Sequence, residues 1–315
     1  MSTSGSSDFN VTRDQIISAA ARKVGAIRAG ETIGSQAQTD FAQALNAMVK
    51  RWQASGIHVW TVTEATLFPQ ASTYQYALSN ASTSAHATQS YVEMELDGAH
   101  SSGATSITVD STTGVSSGDY IGTVLSSGSI SWDVVSGSPT STTIALTTGL
   151  SGAASDGAAV FAYTSKIVRP LRIVDARRYN ISGATDTPIQ IAARLDYQSL
   201  PNKSQTGTIN QLFYDPQLTT GQLYLWNPPS SVTDLVKFTW WRPIMDFDSA
   251  GDNPDLPQEW IDTLIFNLAV SMAWEYPMSA DKYAGLKGQA DEFLAQVAGA
   301  DREPESVHFG VDMRW

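Results

Sequence analysis

Glu93 and Glu95 stand two residues apart in a stretch, Tyr91 to Leu96, that alternates like a β-strand. Residues i and i+2 of a strand share a face, which sets their carboxyls about 5–8 Å apart. Glycosidases place an acid and its partner carboxylate within that range. An ordinary solvated strand face, with charged residues alternating against apolar ones, has the same spacing. A second acidic group, Asp246-Phe247-Asp248 with Gly251 and Asp252, resembles the opening of a calcium loop. Ala250 stands where a ligand oxygen is needed, and Pro257 where the loop-closing glutamate belongs. An acidic loop ahead of a helix N-terminus explains the pattern equally well.

Other chemistry is sparse. The four histidines, His58, His86, His100 and His308, fall in no paired-ligand spacing, and there is no cysteine. No nucleophile elbow, phosphate-binding loop or dinucleotide fingerprint occurs. No catalytic, cofactor or metal residue is therefore assigned, and the chain is read as a non-enzyme. Tyr224, Trp226, Trp240 and Trp241 have the character of a sugar-stacking platform, or of core residues on strands. Arg169, Arg172, Arg177 and Arg178 are candidate charge contacts, to a phosphate backbone or to acidic neighbours within or between chains.

Helical elements must position these residues at both ends. Thr12-x-x-Gln15 is a capping-box pattern, followed by Ile16, Ile17, Ala20, Val24 and Ile27 at helical spacing, with Gly30 as the expected stop. Ser35-x-x-Gln38 reads as a second capping box, opening a helix with Phe41, Leu45, Met48 and Trp52 that Gly56 closes. Near the other end, Leu256-Pro257-Gln258-Glu259-Trp260 opens a long apolar helix, parted by Pro277 from a second helix that Ser279 caps. Trp260, Asn267 and Trp274 form a second line on the first of these helices, about 80–100° from the line of Ile261, Leu264, Ile265, Leu268 and Met272. A helix so apolar around its girth is expected to be contacted on more than one side.

Between the helices the pattern is β-rich. Ile167 to Val174, Thr187 to Ala193, Gln222 to Trp226 and Leu235 to Trp241 read as strands. From Gly98 to Tyr163 the chain is dominated by Ser, Thr, Gly and Ala and carries a weak repeat. Ile107-Thr108-Val109 leads to Thr112-Thr113-Gly114-Val115, and Ile144-Ala145-Leu146 leads to Thr147-Thr148-Gly149-Leu150. Two such halves suggest a small barrel or sandwich. The expected class is α+β: terminal helices forming one bundle, with a large β-rich insert that contains this subdomain. The expected boundaries are a helical domain at 1–57 and 251–298, a β domain at 58–97 and 164–250, the inserted subdomain at 98–163, and a docking tail at 299–315.

The 315 residues carry a net charge of −12, which argues against gripping nucleic acid through the overall field. Lys and Arg are absent from Gly56 to Ser165. No apolar run is long enough to span a bilayer. The tail, Ser306 to Trp315, is studded with Val307, Phe309, Met313 and Trp315, and such a segment is expected to dock.

Three features in order resemble one protein family. They are Ala20-Ala21-Arg22-Lys23-Val24-Gly25-Ala26-Ile27, Ala44-Leu45-Asn46-Ala47-Met48-Val49-Lys50-Arg51-Trp52 closing at Gly56, and Leu256-Pro257-Gln258-Glu259-Trp260 opening two helices. Asp186-Thr187-Pro188-Ile189, Arg194-x-Asp196-Tyr197 and Leu223-Tyr224-Leu225-Trp226-Asn227-Pro228 add to the likeness. Together they look like the head-to-tail adaptor, or packaged-DNA-stabilising, proteins of short-tailed phages. The Ser/Thr/Gly block departs from the smaller members. The resemblance implies a virion neck protein, assembled in the host cytoplasm as a ring of commonly twelve copies. The ring would sit between the portal protein and tail nozzle, fibre or spike proteins. Double-stranded DNA would pass through the lumen without sequence-specific binding. Portal and inter-subunit contacts would fall on Trp260, Asn267, Trp274, Val307, Phe309, Met313 and Trp315. A carbohydrate- or receptor-binding tail module, and a cell-wall or polysaccharide hydrolase using Glu93 and Glu95, are the competing readings.

Overall fold

The computed structural model describes residues 5, 6, 8–56, 59–83 and 85–300. They divide into two units, one holding the described residues up to Thr61 and from Ile244 onward, the other Val62–Pro243. The first unit begins with α1 (Arg13–Val24) and α2 (Ser35–Ala54). Thr12 caps α1 through a complete capping box: its hydroxyl accepts from Gln15 N, and Gln15 Oε1 accepts from Thr12 N at 2.9 Å. Gly25, not Gly30, stops the helix, because Gly25 takes the left-handed conformation (φ 82°) that a helix C-terminus favours. The second expected capping box does not form. Gly34 precedes α2 without a side-chain cap, and the Gln38 side chain turns away to the Asp14 carboxylate.

The second unit opens with β1 (Val62–Leu67), β2 (Gln75–Leu78) and β3 (Ala87–Thr88). Six strands follow: β4 (Val92–Glu95), β5 (Ser106–Thr108), β6 (Tyr120–Val124), β7 (Ile130–Val134), β8 (Thr143–Ala145) and β9 (Ala159–Tyr163). Then come β10 (Arg172–Asn180), β11 (Thr185–Pro188), β12 (Gln190–Ile191), α3 (Arg194–Ser199), β13 (Gln211–Asp215), β14 (Gly221–Trp226) and β15 (Asp234–Trp241). One sheet runs β11-β10-β15-β1-β3 and another β12-β13-β14-β2. Alternation on β14 and β15 sends Leu223, Leu225, Phe238 and Trp240 into a common core with Leu67, Leu78, Ile173 and Leu212.

The six middle strands close on themselves. β4-β9-β6-β7 form one sheet and β5-β8 another. Bridges Leu96↔Val109 and Val135↔Leu146 join the two into a barrel filled by Ile107, Val109, Ile121, Ile144, Leu146 and Val160. The repeat seen in the sequence is a pseudo-two-fold in the hydrogen bonds. Leu96 N bonds Ala158 O as Val135 N bonds Asp119 O; Val109 N bonds Thr142 O as Leu146 N bonds Thr105 O. β4 belongs to this barrel, which therefore starts before Gly98.

The barrel is fixed to the neighbouring sheets by aromatic rings. Phe68 lies 5.0 Å from Phe161, 5.2 Å from Trp132 and 5.3 Å from Tyr91, with Val232 and Leu235 beside them. Gly122 makes this possible, since it faces Trp132 across the β6–β7 ladder and leaves room for the indole.

The chain returns to the first unit with α4 (Ile261–Met272) and α5 (Ala280–Ala300). Ile16, Ala20, Phe41, Leu45, Trp52, Leu264 and Leu268 meet in one core. The expectation of an α+β chain built as a terminal helical bundle with a β insert is overturned. Among the described residues fifteen strands lie in four sheets against five α-helices, and only 26% of those residues are helical. Nor do the terminal helices make a bundle. α4 is a hub that meets α1 and α2, whereas α5 has its main contact with α4 alone. The apolar girth of α4 serves this hub position, one side to α1 and α2 and another to α5.

Gly122→Ala should destabilise the protein by about 1–3 kcal/mol, read as a lower urea midpoint. An added Cβ would stand 2.7 Å from Trp132 ring carbons and 2.8 Å from Ile130 Cγ2.

Candidate functional site

The helical unit separates the three residues of the second line on α4. Trp260 is 3% exposed and sits between Trp52 and Trp60, with ring centroids at 5.6 and 5.1 Å. It is a core residue, which corrects its assignment as a contact with other chains. Asn267 donates its amide to Thr263 O at 3.0 Å and Ala290 O at 3.2 Å, and so ties α4 to α5. Trp274, just past the end of α4, is 85% exposed, with its ring centroid 5.7 Å from that of Tyr283. Nearby on the same two helices, Phe266 packs edge-on to Phe293 and carries the Lys23 ammonium 3.7 Å above its ring. Sequence period alone could not tell these fates apart, because what covers a helix face is decided by distant segments. Val307, Phe309, Met313 and Trp315 lie outside the described residues.

In the acidic loop before α4, Asp246, Asp252 and Asp255 hold their carboxylates on protein donors. Asp252 Oδ2 accepts from Asp248 N at 2.8 Å and Ser249 N at 2.6 Å, Asp255 Oδ2 accepts from Met245 N, and Asp246 pairs with Lys50 at 2.7 Å. This is a self-closed turn. Among the described residues no group of three or more His, Asp or Glu is placed to hold a metal ion.

Glu93 and Glu95 do share the outer face of β4. They line a cleft of about 610 Å³ with Asp110, Val124, Ile181 and Thr233. Burial raises the Glu93 pKa above the usual carboxylate value; nearby Lys237 opposes this and Glu95 adds to it. The Asp110 carboxylate accepts Glu95 N at 3.1 Å, so it is turned toward the backbone.

The four arginines are scattered in use. Arg177 pairs with Glu64 and Asp186, and Arg178 with Asp234 at 3.4 Å. Arg172 lies over the Trp241 ring at 5.2 Å. Arg169 is partly buried near Tyr214. Of the four proposed platform aromatics, Trp240 is buried in the sheet core and Trp241 is covered by Arg172. Tyr224 stacks with Phe213 and Tyr197, and Trp226 donates to Asn202 O. They are divided between two sheets and do not form one surface.

One grouping escaped the sequence reading. His86, Tyr120, Trp132 and Lys166 line a second pocket of about 570 Å³ with Asn80, Ser82, Thr83 and Asp133. The His86 and Trp132 rings stack at 3.8 Å. A signal existed in the sequence: Lys166 is the first cation after more than a hundred residues without one.

Trp260→Ala should cost about 3–5 kcal/mol of stability, whereas Trp274→Ala should change it by no more than about 0.5 kcal/mol. Thermal and urea unfolding of the two variants side by side would check the contrast.

No protein-family model matches this chain, and no curated protein matches its sequence.

Proposed function

We propose that the protein is a structural head-to-tail adaptor subunit that assembles as a ring between a phage portal and its tail, with no catalytic role. The observation that carries the reading is Trp274, an indole left 85% exposed by its own chain on the α4–α5 turn. An exposed tryptophan costs solubility and typically anchors a protein interface. The remaining apolar residues of α4 are buried or half-buried within the chain and lend no support. A net charge of −12 fits a conduit from which DNA phosphates are repelled, so that a duplex slides without sticking.

Sedimentation of the full chain mixed with portal tests this directly. The expected result is a ring-sized complex, weakened about 30-fold by Trp274→Ser, equivalent to about 2 kcal/mol. A chain that stays monomeric with portal present overturns the reading.

A hydrolase is the second reading, favoured by the cleft that holds Glu93 and Glu95 and by the raised proton affinity of Glu93. On that reading the chain alone cleaves a polysaccharide, and Glu93→Gln lowers the rate at least about 100-fold with an unchanged fold. The adaptor reading expects no cleavage by either protein.

A further inference from the structure

The pocket beside Lys166 contains a cation without a counter-ion. Lys166 Nζ donates to Ser82 O at 2.7 Å and lies 4.9 Å above the Tyr120 ring. No carboxylate pairs with it among the described residues. An ammonium has three N–H donors, and the Ser82 carbonyl takes one. Burial lowers the Lys166 pKa, as expected of an ammonium withdrawn from water without a compensating charge. Half-buried, the ammonium keeps some access to water but has no ionic partner among the described residues.

Among the described lining residues the one acid, Asp133, does not complete it. Asp133 accepts backbone N–H groups from Val134 at 2.8 Å, Thr148 at 3.0 Å and Gly149 at 2.7 Å. Its carboxylate is thereby held in the barrel. His86, 6% exposed, has Nδ1 2.5 Å from the Tyr163 hydroxyl. With that hydroxyl donating, the ring proton sits on Nε2. Burial and the Lys166 charge hold the His86 pKa near about 3, so the imidazole is neutral at ordinary pH and offers no negative charge. The remaining lining is mixed: Asn80, Ser82 and Thr83 are polar, and Ala81, Tyr120, Trp132 and Val134 are apolar or aromatic.

We propose that this pocket binds a carboxylated pyranose, the carboxylate completing Lys166 and the ring hydroxyls meeting Asn80, Ser82 and Thr83. The unpaired charge favours an anion; Asn80, Ser82 and Thr83 offer hydrogen bonds, and Ala81, Tyr120, Trp132 and Val134 offer the apolar contact that one face of a sugar ring makes. A volume of about 570 Å³ accommodates one sugar unit. A uronic acid within a polysaccharide and a sialic acid at the end of a glycan share this chemistry. The site belongs to the second unit and does not depend on ring assembly, so it stands or falls apart from the adaptor reading.

Calorimetric titration of the full chain with glucuronic acid oligomers, N-acetylneuraminic acid and a neutral maltooligosaccharide tests it. At least one acidic ligand should bind and the neutral one should not; which acidic ligand binds identifies the source. Lys166→Met should weaken binding at least about tenfold, the size of a lost charge-assisted contact, with an unfolding midpoint equal to or above wild type. Asn80→Asp, at an exposed position, should weaken it similarly by placing a negative charge at the rim. Binding of neutral and acidic sugars alike, no binding by any ligand, or wild-type affinity in both variants overturns the proposal.

Discussion

The contact that most of the second unit depends on is the aromatic seam around Phe68. The barrel is built from Ser, Thr, Gly and small apolar residues, and its own interior is modest. Two chain crossings alone would leave it loosely tethered. Phe68, Tyr91, Trp132, Phe161 and Tyr163 instead bring their rings within about 5–6 Å of one another, and each such pair adds to the plain burial of its area. The seam also sets one wall of the Lys166 pocket, since His86 stacks on Trp132 and bonds Tyr163. Position of the barrel and geometry of the pocket are thus one property.

Local rules were legible where the chain interacts with itself over a few residues. Thr12 and Gln15 cap α1 as their spacing dictates, and Ser279 accepts Lys282 N and Tyr283 N at the start of α5. The repeat around Ile107 and Ile144 became a barrel whose halves pair symmetrically, with those two residues opposite each other. Local rules failed where a distant partner intervened. Gln38 is drawn from a capping role by Asp14 across α1, and β13 (Gln211–Asp215), not foreseen as a strand, is fixed by its neighbour β14. The class was misjudged for a related reason. Helices have a strong period that draws attention, whereas many short strands, several of them Ser/Thr-rich, carry little periodic signal.

The candidate sites show the same division. That Glu93 and Glu95 share a face follows from strand period, and they do. That Trp260 is interior and Trp274 exposed follows only from how Trp52, Trp60 and Tyr283 are brought to them. The Lys166 pocket draws on a loop, a barrel strand and an inter-strand segment far apart in the chain, so no local motif could reveal it.

The barrel's first and last strands, β4 and β9, lie side by side and antiparallel, with Val92 opposite Ala162 and Glu95 opposite Ala159. Its two ends therefore leave at one edge, a single strand spacing apart. A folded body attached this way behaves as a cassette: its chain enters and leaves at adjacent points, whatever the length of what lies between. Exchange of the whole module between relatives would ask of the remaining sheets that they keep the same near-side partners, the ring of Phe68 and the hydrogen bonds of Gln70 and Val232.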